Sequence, residues 1–304
     1  MHKKRLVSLI AVASVTALIL AGCSSGGDSA SDSGVPKVDM MKELGAGEGQ
    51  VNLVAWAGYV ENGSTDPKVD WVTGFEKETG CKVNVKTGAT SDEMVALMKT
   101  GEYDVVSASG DASLRLIYGG DVAPVNTDLI PNYADIFENL KMQQWNSVAG
   151  VAYGIPHGRG ANLLSYRTDI VKPAPTSWAS VFDANSPYKG KITAYDSPIY
   201  IADAALYLME TKPELGIKYP YALDQTQFDA AIEVLKAQKP LIGEYWGDYL
   251  KHVASLKSGG TVLGTTWQVN INLAKGEGTK VEGIKPSGGS TGWSDTWMVS
   301  SKAK

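Results

Sequence analysis

The sequence predicts an α/β protein of two lobes, and three observations carry that prediction. Short β-rich runs alternate with amphipathic helical segments from Gln50 onward, the pattern of βαβ units and a mainly parallel sheet. The alternation is interrupted at 153–166, which carries a proline and three glycines between strand-like sequence, and then restarts. About 255 residues follow Gly49, enough for a large core and more naturally two lobes than one.

Each element follows from local pattern. QVNLVAW (50–56) is rich in β-branched and aromatic residues and predicts the first strand. DWVTGFEKETG (70–80) places Trp71, Val72 and Phe75 on one helical face and stops at Gly80. KVNVK (82–86) alternates as a strand. SDEMVALMKTG (91–101) opens on a Ser cap, sets Met94, Leu97 and Met98 on one face, and ends at a glycine. YDVVSAS (103–109) predicts the third strand and DASLRLIYGG (111–120) the next helix. Beyond the interruption, GKITAYD (190–196) predicts a strand, ADAALYLMET (202–211) a helix and TQFDAAIEVLKAQ (226–238) a longer amphipathic helix. LIGEYW (241–246) and TVLGTTW (261–267) are strands on either side of the helix in GDYLKHVASLKSGG (247–260). No internal repeat is visible.

The N-terminus is a targeting segment, not part of this fold. Residues 1–5 are basic, 6–20 form an apolar run too short for a convincing membrane span, and Leu20-Ala21-Gly22-Cys23 closes it with small residues. LAGC resembles the lipobox of bacterial lipoproteins, which implies lipidation of Cys23 as the new N-terminus. The polar SSGGDSASDSG that follows reads as a flexible tether. The whole chain has 28 Lys+Arg against 33 Asp+Glu, and cleavage before Cys23 removes Lys3, Lys4 and Arg5, leaving a net charge near −8. That balance argues against a nucleic-acid partner and is compatible with a cationic ligand. With Cys23 assigned to lipid, Cys81 has no partner, so no disulfide framework is expected. His157 and His252 are the only histidines left after the signal, too few for a histidine-rich metal site.

Familiar catalytic and cofactor patterns fail on position. GAGEGQ (45–50) precedes a strand, whereas a phosphate loop must follow one so that helix-start N–H groups face the anion. SASG (107–110) ends a strand without the Gly-x-Ser-x-Gly elbow. A surface-anchored α/β hydrolase would need His157 or His252 as its base, and neither stands in a credible triad. No enzyme activity, cofactor or metal is expected.

What does recur is aromatic residues, with acids or small polar residues, at the ends of strands. Trp56 and Tyr59 follow the first strand, Ser107 and Ser109 end the third, and Asp196 ends GKITAYD. Tyr245, Trp246 and Asp248 follow LIGE, and Trp267 and Gln268 follow TVLGTT. Ligands of open α/β sheets bind at the carboxyl ends of strands. Near the C-terminus GWSDTW (292–297) would, as a strand, set Trp293, Asp295 and Trp297 on one face. A carboxylate between indoles is costly in a core. The same set suits an organic cation, since aromatic faces attract ammonium and the carboxylate anchors its charge.

These segments resemble the solute-binding proteins of spermidine/putrescine ABC transporters. The resemblance runs from about Val51 onward and is carried in order by NLVAWAGYV, FEKETGCKVNV, DEMVALMKTGEYDVV, YGIPHGRGANLLSYRTDIV, SWASVFD, YKGKITAYDS, LKSGGTVLGTTW and GWSDTWMVS. It implies a periplasmic-binding-protein-like fold whose two lobes, joined by crossing strands, close on a polyamine and hand it to a membrane permease. By the same resemblance Trp56 and Tyr59 stack on the ligand, Asp196 and Asp295 hold its amines, and Trp267 and Trp246 line the groove. Trp293 would add a ring, and Ser107 or Ser109 hydrogen bonds. GIPHGRG would be a first crossing and Thr265 to Gln268 a second.

That alignment implies lobe 1 at 49–155 plus 268–295 and lobe 2 at 156–267 plus 296–304, after a signal (1–22) and a lipidated tether (23–48). Family members continue beyond this point, so part of lobe 2 is expected to be missing. Three positions depart from the family. Ser109-Gly110 replaces an aromatic, Ile199 stands where a second acid is common, and Arg159 occupies a crossing position where an aromatic is common. Arg159 would either pair with an acid across the hinge or favour an anionic or zwitterionic solute, such as an aminophosphonate or amino acid. The expected protein is an extracytoplasmic, lipid-anchored monomer.

Overall fold

A computed structural model of the chain describes residues 34–64 and 66–303. The signal, Cys23 and the tether through residue 33 lie outside the described residues. In chain order the elements begin β1 (Gln50–Ala55), α1 (Val72–Thr79), β2 (Lys82–Thr87), α2 (Ser91–Thr100), β3 (Val105–Ser109) and α3 (Gly110–Gly119). There follow β4 (Ser147–Val148), β5 (Val151–Ala152), β6 (Ile155–Ala161), β7 (Leu163–Arg167), α4 (Ala179–Phe182), β8 (Ile192–Tyr195), α5 (Ile201–Thr211) and α6 (Gln225–Gln238). The last are β9 (Ile242–Trp246), α7 (Tyr249–Ser258), β10 (Leu263–Thr266), α8 (Gln268–Gly276), β11 (Val281–Ile284) and β12 (Gly292–Val299).

Two five-stranded sheets carry the two lobes, in the orders β2-β1-β3-β12-β6 and β11-β7-β10-β8-β9. In the first, β2, β1 and β3 are parallel and β12 runs antiparallel to both β3 and β6. In the second, β9, β8 and β10 are parallel and β7 runs antiparallel to both β10 and β11. Each sheet therefore has one reversed strand, and in each it is the strand that has just arrived from the other lobe.

Burial of the helical faces holds each sheet. Val54, Val106, Ala108 and Met298 pack with Met94, Val95 and Met98 of α2 and Leu116 and Ile117 of α3, all buried. The second sheet is covered on both faces, by Trp178, Phe182, Leu208 and Ala231 on one and by Val253, Leu256, Ile271 and Ala274 on the other. Each large side chain so buried contributes roughly 1.5–3 kcal/mol. Thr90, not Ser91, caps α2, accepting from the Glu93 N–H. Ser91 instead turns inward and donates to Asp111 Oδ1 at 3.0 Å. The expected apolar face of α1 is only partly used: Val72 is buried, while Trp71 and Phe75 remain exposed and touch edge to face.

The chain crosses from lobe 1 to lobe 2 through Asn162 and returns through 285–291. Strand pairing divides the chain differently from the sequence expectation. Residues 155–161 pair with β12 as part of the first sheet. Thr265 and Thr266 pair with Leu164 and Leu163, so no crossing occurs there, and α8 and β11 stay with lobe 2. All of β12 belongs to the first sheet.

The crossings are bonded to each other. Asn162 donates its backbone N–H to the Thr291 carbonyl at 3.0 Å, and Tyr221 of lobe 2 donates to the Gly292 carbonyl and accepts from its N–H. The Thr291 hydroxyl donates to Asp203 of α5, a buried carboxyl that burial pushes up to about 7 against the opposing Thr291 hydrogen bond. A carboxyl raised in the folded state holds its proton longer there than in the unfolded chain. Its contribution to stability is present below the ordinary pKa of 3.8 and is lost as pH rises toward 7. Replacing Asp203 with Asn keeps an acceptor and removes this titration. Denaturant melts at pH 5 and pH 8 should show the wild type losing stability relative to Asp203→Asn, at up to about 1.4 kcal/mol per pH unit within the window. Parallel pH profiles would refute the assignment.

Candidate functional site

The carboxyl ends of β1, β3, β8, β9 and β10 meet between the lobes. Trp56, just past β1, lies 6.5 Å centroid to centroid from Trp267, just past β10. Trp267 also meets Tyr195 at 5.2 Å and Trp246 at 4.9 Å, both edge to face. Rings from both lobes thus form one aromatic cluster. Trp246 is fully buried and stacked on His252 at 4.7 Å, so it backs the wall more than it lines it.

Strand β12 presents the acid as its alternation requires. Asp295 stands opposite Ser109 and Trp297 opposite Ser107 in register with β3. Asp295 is buried, and its two carboxylate oxygens accept from the hydroxyls of Tyr59 and Ser109. No Lys or Arg pairs with it among the described residues. Burial raises the Asp295 carboxyl above the usual carboxylate range, the Ser109 and Tyr59 hydrogen bonds oppose the rise, and the charge of Asp111 adds to it. Tyr59 is pushed up in turn, first by burial and then by the Asp295 charge.

His157 and Trp297 complete the lobe-1 side. The Trp297 indole N–H donates to His157 Nδ1 at 3.1 Å, and the imidazole stacks on Tyr59 at 4.1 Å. Burial holds His157 below its usual pKa. With Nδ1 accepting, the neutral ring carries its proton on Nε2. His252 is pushed down to about 3 by burial and meets Thr266 Oγ1 at 2.9 Å, with both groups sealed in the core. Neither histidine is placed as a base beside an accessible nucleophile.

The other expected residues fall in several places. Ser107 is fully buried, with no hydrogen-bond partner among the described residues. The Trp293 indole lies across Gly160, where a Cβ would come within 2.3 Å of the ring, so only glycine admits it. Its ring makes no contact with the aromatic cluster among the described residues. Asp196 is exposed; its backbone N–H donates to the Trp246 carbonyl, and its charge acts on Tyr245. No hydrogen bond or charge coupling joins it to Asp295. Arg159 is exposed and pairs in register with Ser294, so alternation points it to the face opposite Trp293. It forms no ion pair among the described residues, so the expected cross-hinge pairing is not observed. Asp248 caps α7 through the Leu250 N–H.

Sequence reasoning missed Asp111, Tyr195 and Asn162. Asp111 opens α3 directly beyond the β3 end and is the acid coupled to Asp295; burial raises its carboxyl, and Ser91 opposes the rise. Tyr195, one residue before Asp196, is the lobe-2 group that feels both charges, although burial is the main reason its phenol is raised. Position at a strand end was the available signal for both. Surface grooves of about 450 and 370 Å³ lie elsewhere on lobe 2 and are not lined by Trp56, Trp267 or Asp295.

Comparison with known proteins gives the family and the fold. The family model for bacterial extracellular solute-binding proteins matches residues 70–304. The spermidine/putrescine-binding periplasmic protein 1 of Haemophilus influenzae is 24% identical over 273 residues, covering 88% of this chain and 70% of that one. The spermidine/putrescine-binding periplasmic protein of Escherichia coli K12 is 25% identical over 253 residues, covering 82% and 67%. In fold, the spermidine/putrescine substrate-binding protein of Streptococcus pneumoniae superposes with a TM-score of 0.63 at 18% identity, covering 84% and 73%. These relatives are transport proteins, not enzymes. With its two α/β lobes and its cleft at the strand ends, the chain belongs to the bacterial extracellular solute-binding proteins.

Proposed function

We propose that the protein captures a polyamine of the putrescine or spermidine kind between its lobes and delivers it to the permease. One observation carries the reading. Among the described residues Asp295 is a buried carboxylate satisfied only by two neutral hydroxyls, and its charge reaches Tyr195 of an aromatic cluster built from both lobes. Neutral donors lower the cost of burying the charge without cancelling it. An ammonium cancels it, while methylene groups between amines lie against Trp56 and Trp267. Relatives described as spermidine/putrescine-binding support the ligand class. Arg159, turned from this face, gives the anionic alternative no support.

Ligand contacts from both lobes favour the arrangement in which the lobes touch, and that arrangement is what the permease reads. Attachment of a monomer to the outer membrane surface through lipid on Cys23 is part of the same proposal, resting on the LAGC motif.

Titration calorimetry tests the site. Asp295→Asn should lose about 1.5–3 kcal/mol of putrescine binding, the worth of a charge-assisted hydrogen bond, and Trp267→Ala about 0.5–2 kcal/mol. The exposed Asp196→Asn should change affinity by less than about 0.5 kcal/mol. Unchanged affinity in Asp295→Asn would remove it from the site.

The raised Asp295 carboxyl also gives a pH signature. A bound cation favours the ionised form, so affinity should fall as pH drops through the Asp295 titration, with a proton released on binding. Heats in two buffers of different ionisation enthalpy measure that release, and Asp295→Asn should remove its share. Identical release in wild type and variant would show that Asp295 does not titrate with the ligand.

A further inference from the structure

Trp267 touches Trp56 across the lobes and Tyr195 and Trp246 within lobe 2. Its indole N–H leaves the cluster and donates to Asn162 Oδ1 at 3.1 Å. Asn162 is the single residue between β6 and β7, the first crossing. Its Nδ2 donates to Thr291 Oγ1 at 2.7 Å, and its backbone N–H to the Thr291 carbonyl at 3.0 Å. Thr291 ends the second crossing, and its hydroxyl donates to the buried Asp203 of α5.

The chemistry makes this chain directional. An indole N–H can only donate, so the oxygen of Asn162 must face Trp267 and its NH₂ must face Thr291. The Thr291 oxygen, accepting there, spends its own proton on Asp203. Reversing any link leaves two donors or two acceptors opposed in a partly buried place. One ring of the cleft wall thus sets the orientation of the group that joins both crossings.

We propose that Asn162 is a positioning residue that ties the Trp267 wall to the two crossings, so that displacement of the ring and opening of the hinge are one coordinate. The proposal rests on Trp267 being a ligand wall. Through this link, a solute pressing on the indole acts on the lobe angle directly.

The test needs no solute, so it stays separate from the polyamine titration. One spin label is placed on each lobe at Lys99→Cys and Lys236→Cys in a full chain carrying Cys23→Ser and Cys81→Ser, and interlobe distances are measured by pulsed electron resonance. Loss of the part-buried Trp267–Asn162 hydrogen bond should enlarge the open population roughly five- to tenfold in Trp267→Phe, which keeps an aromatic ring and loses the N–H. Asn162→Ala loses that bond and the one to Thr291, and should be at least as open. The double variant should be no more open than Asn162→Ala alone, while Thr291→Ser keeps the wild-type distribution and Thr291→Val does not. A wild-type distribution in Trp267→Phe, or additive effects in the double variant, overturns the proposal. An absence of heat with putrescine would instead count against the ligand assignment alone.

Discussion

The cleft depends on keeping the Asp295 carboxylate out of water without supplying a cation from the protein. Burying such a charge costs several kcal/mol, and two hydroxyl donors recover only part of it. The arrangement holds only if β12 lies in one register against β3, because a slip of one residue turns Asp295 to the helix-covered face and brings Thr296 opposite Ser109. Met298 enforces that register from the other side. It is fully buried among Val106, Leu116 and Ile117, and a slip would expose it. The hydrophobic core thereby meets the cost of positioning the site.

Topology explains why the cleft and the hinge share residues. Each lobe receives one strand from its neighbour, and that strand enters reversed: β7 into the second sheet, β12 into the first. The crossings therefore meet beside the strand ends that form the site. Asn162 lies one residue from β7, and Thr291 lies one residue from β12 and four from Asp295. Motion at the crossings displaces the ligand groups because they sit on the same short segments.

Sequence pattern revealed most of the fold and about half of the geometry. Alternation of strand and helix located the elements because β-branched runs and capped amphipathic helices are local signals. The lobe bounds implied by the family alignment differ from the pairing at 268–284, where α8 and β11 are short and weakly patterned and pairing with β7 decides lobe membership. Trp56, Tyr59, Ser109 and Trp267 were legible from their positions at strand ends and Asp295 from period two; the fold sets Tyr59 and Ser109 on Asp295 and Trp56 beside Trp267. Tyr195, not Asp196, is the residue of that strand end that joins the ring cluster, because the period fixes which residues share a face, not which face meets the other lobe. Asp111 was hidden for another reason: its charge acts on Asp295 and on Tyr195 across a long sequence separation, a coupling with no trace in local sequence.

Two buried carboxylates, Asp203 and Asp295, show how the fold separates stability from binding. Both accept from hydroxyls and neither is ion-paired among the described residues. Asp203 has one such donor and is buried, so its charge is relieved by taking up a proton, and the cost of ionising it falls on the folded protein whether or not solute is bound. Asp295 has two donors and stands where Tyr195 of the opposite lobe feels its charge. A cation arriving between the lobes relieves Asp295 and leaves Asp203 untouched. The free energy released is then gained only when the lobes meet around the solute, which is the condition for binding to drive closure.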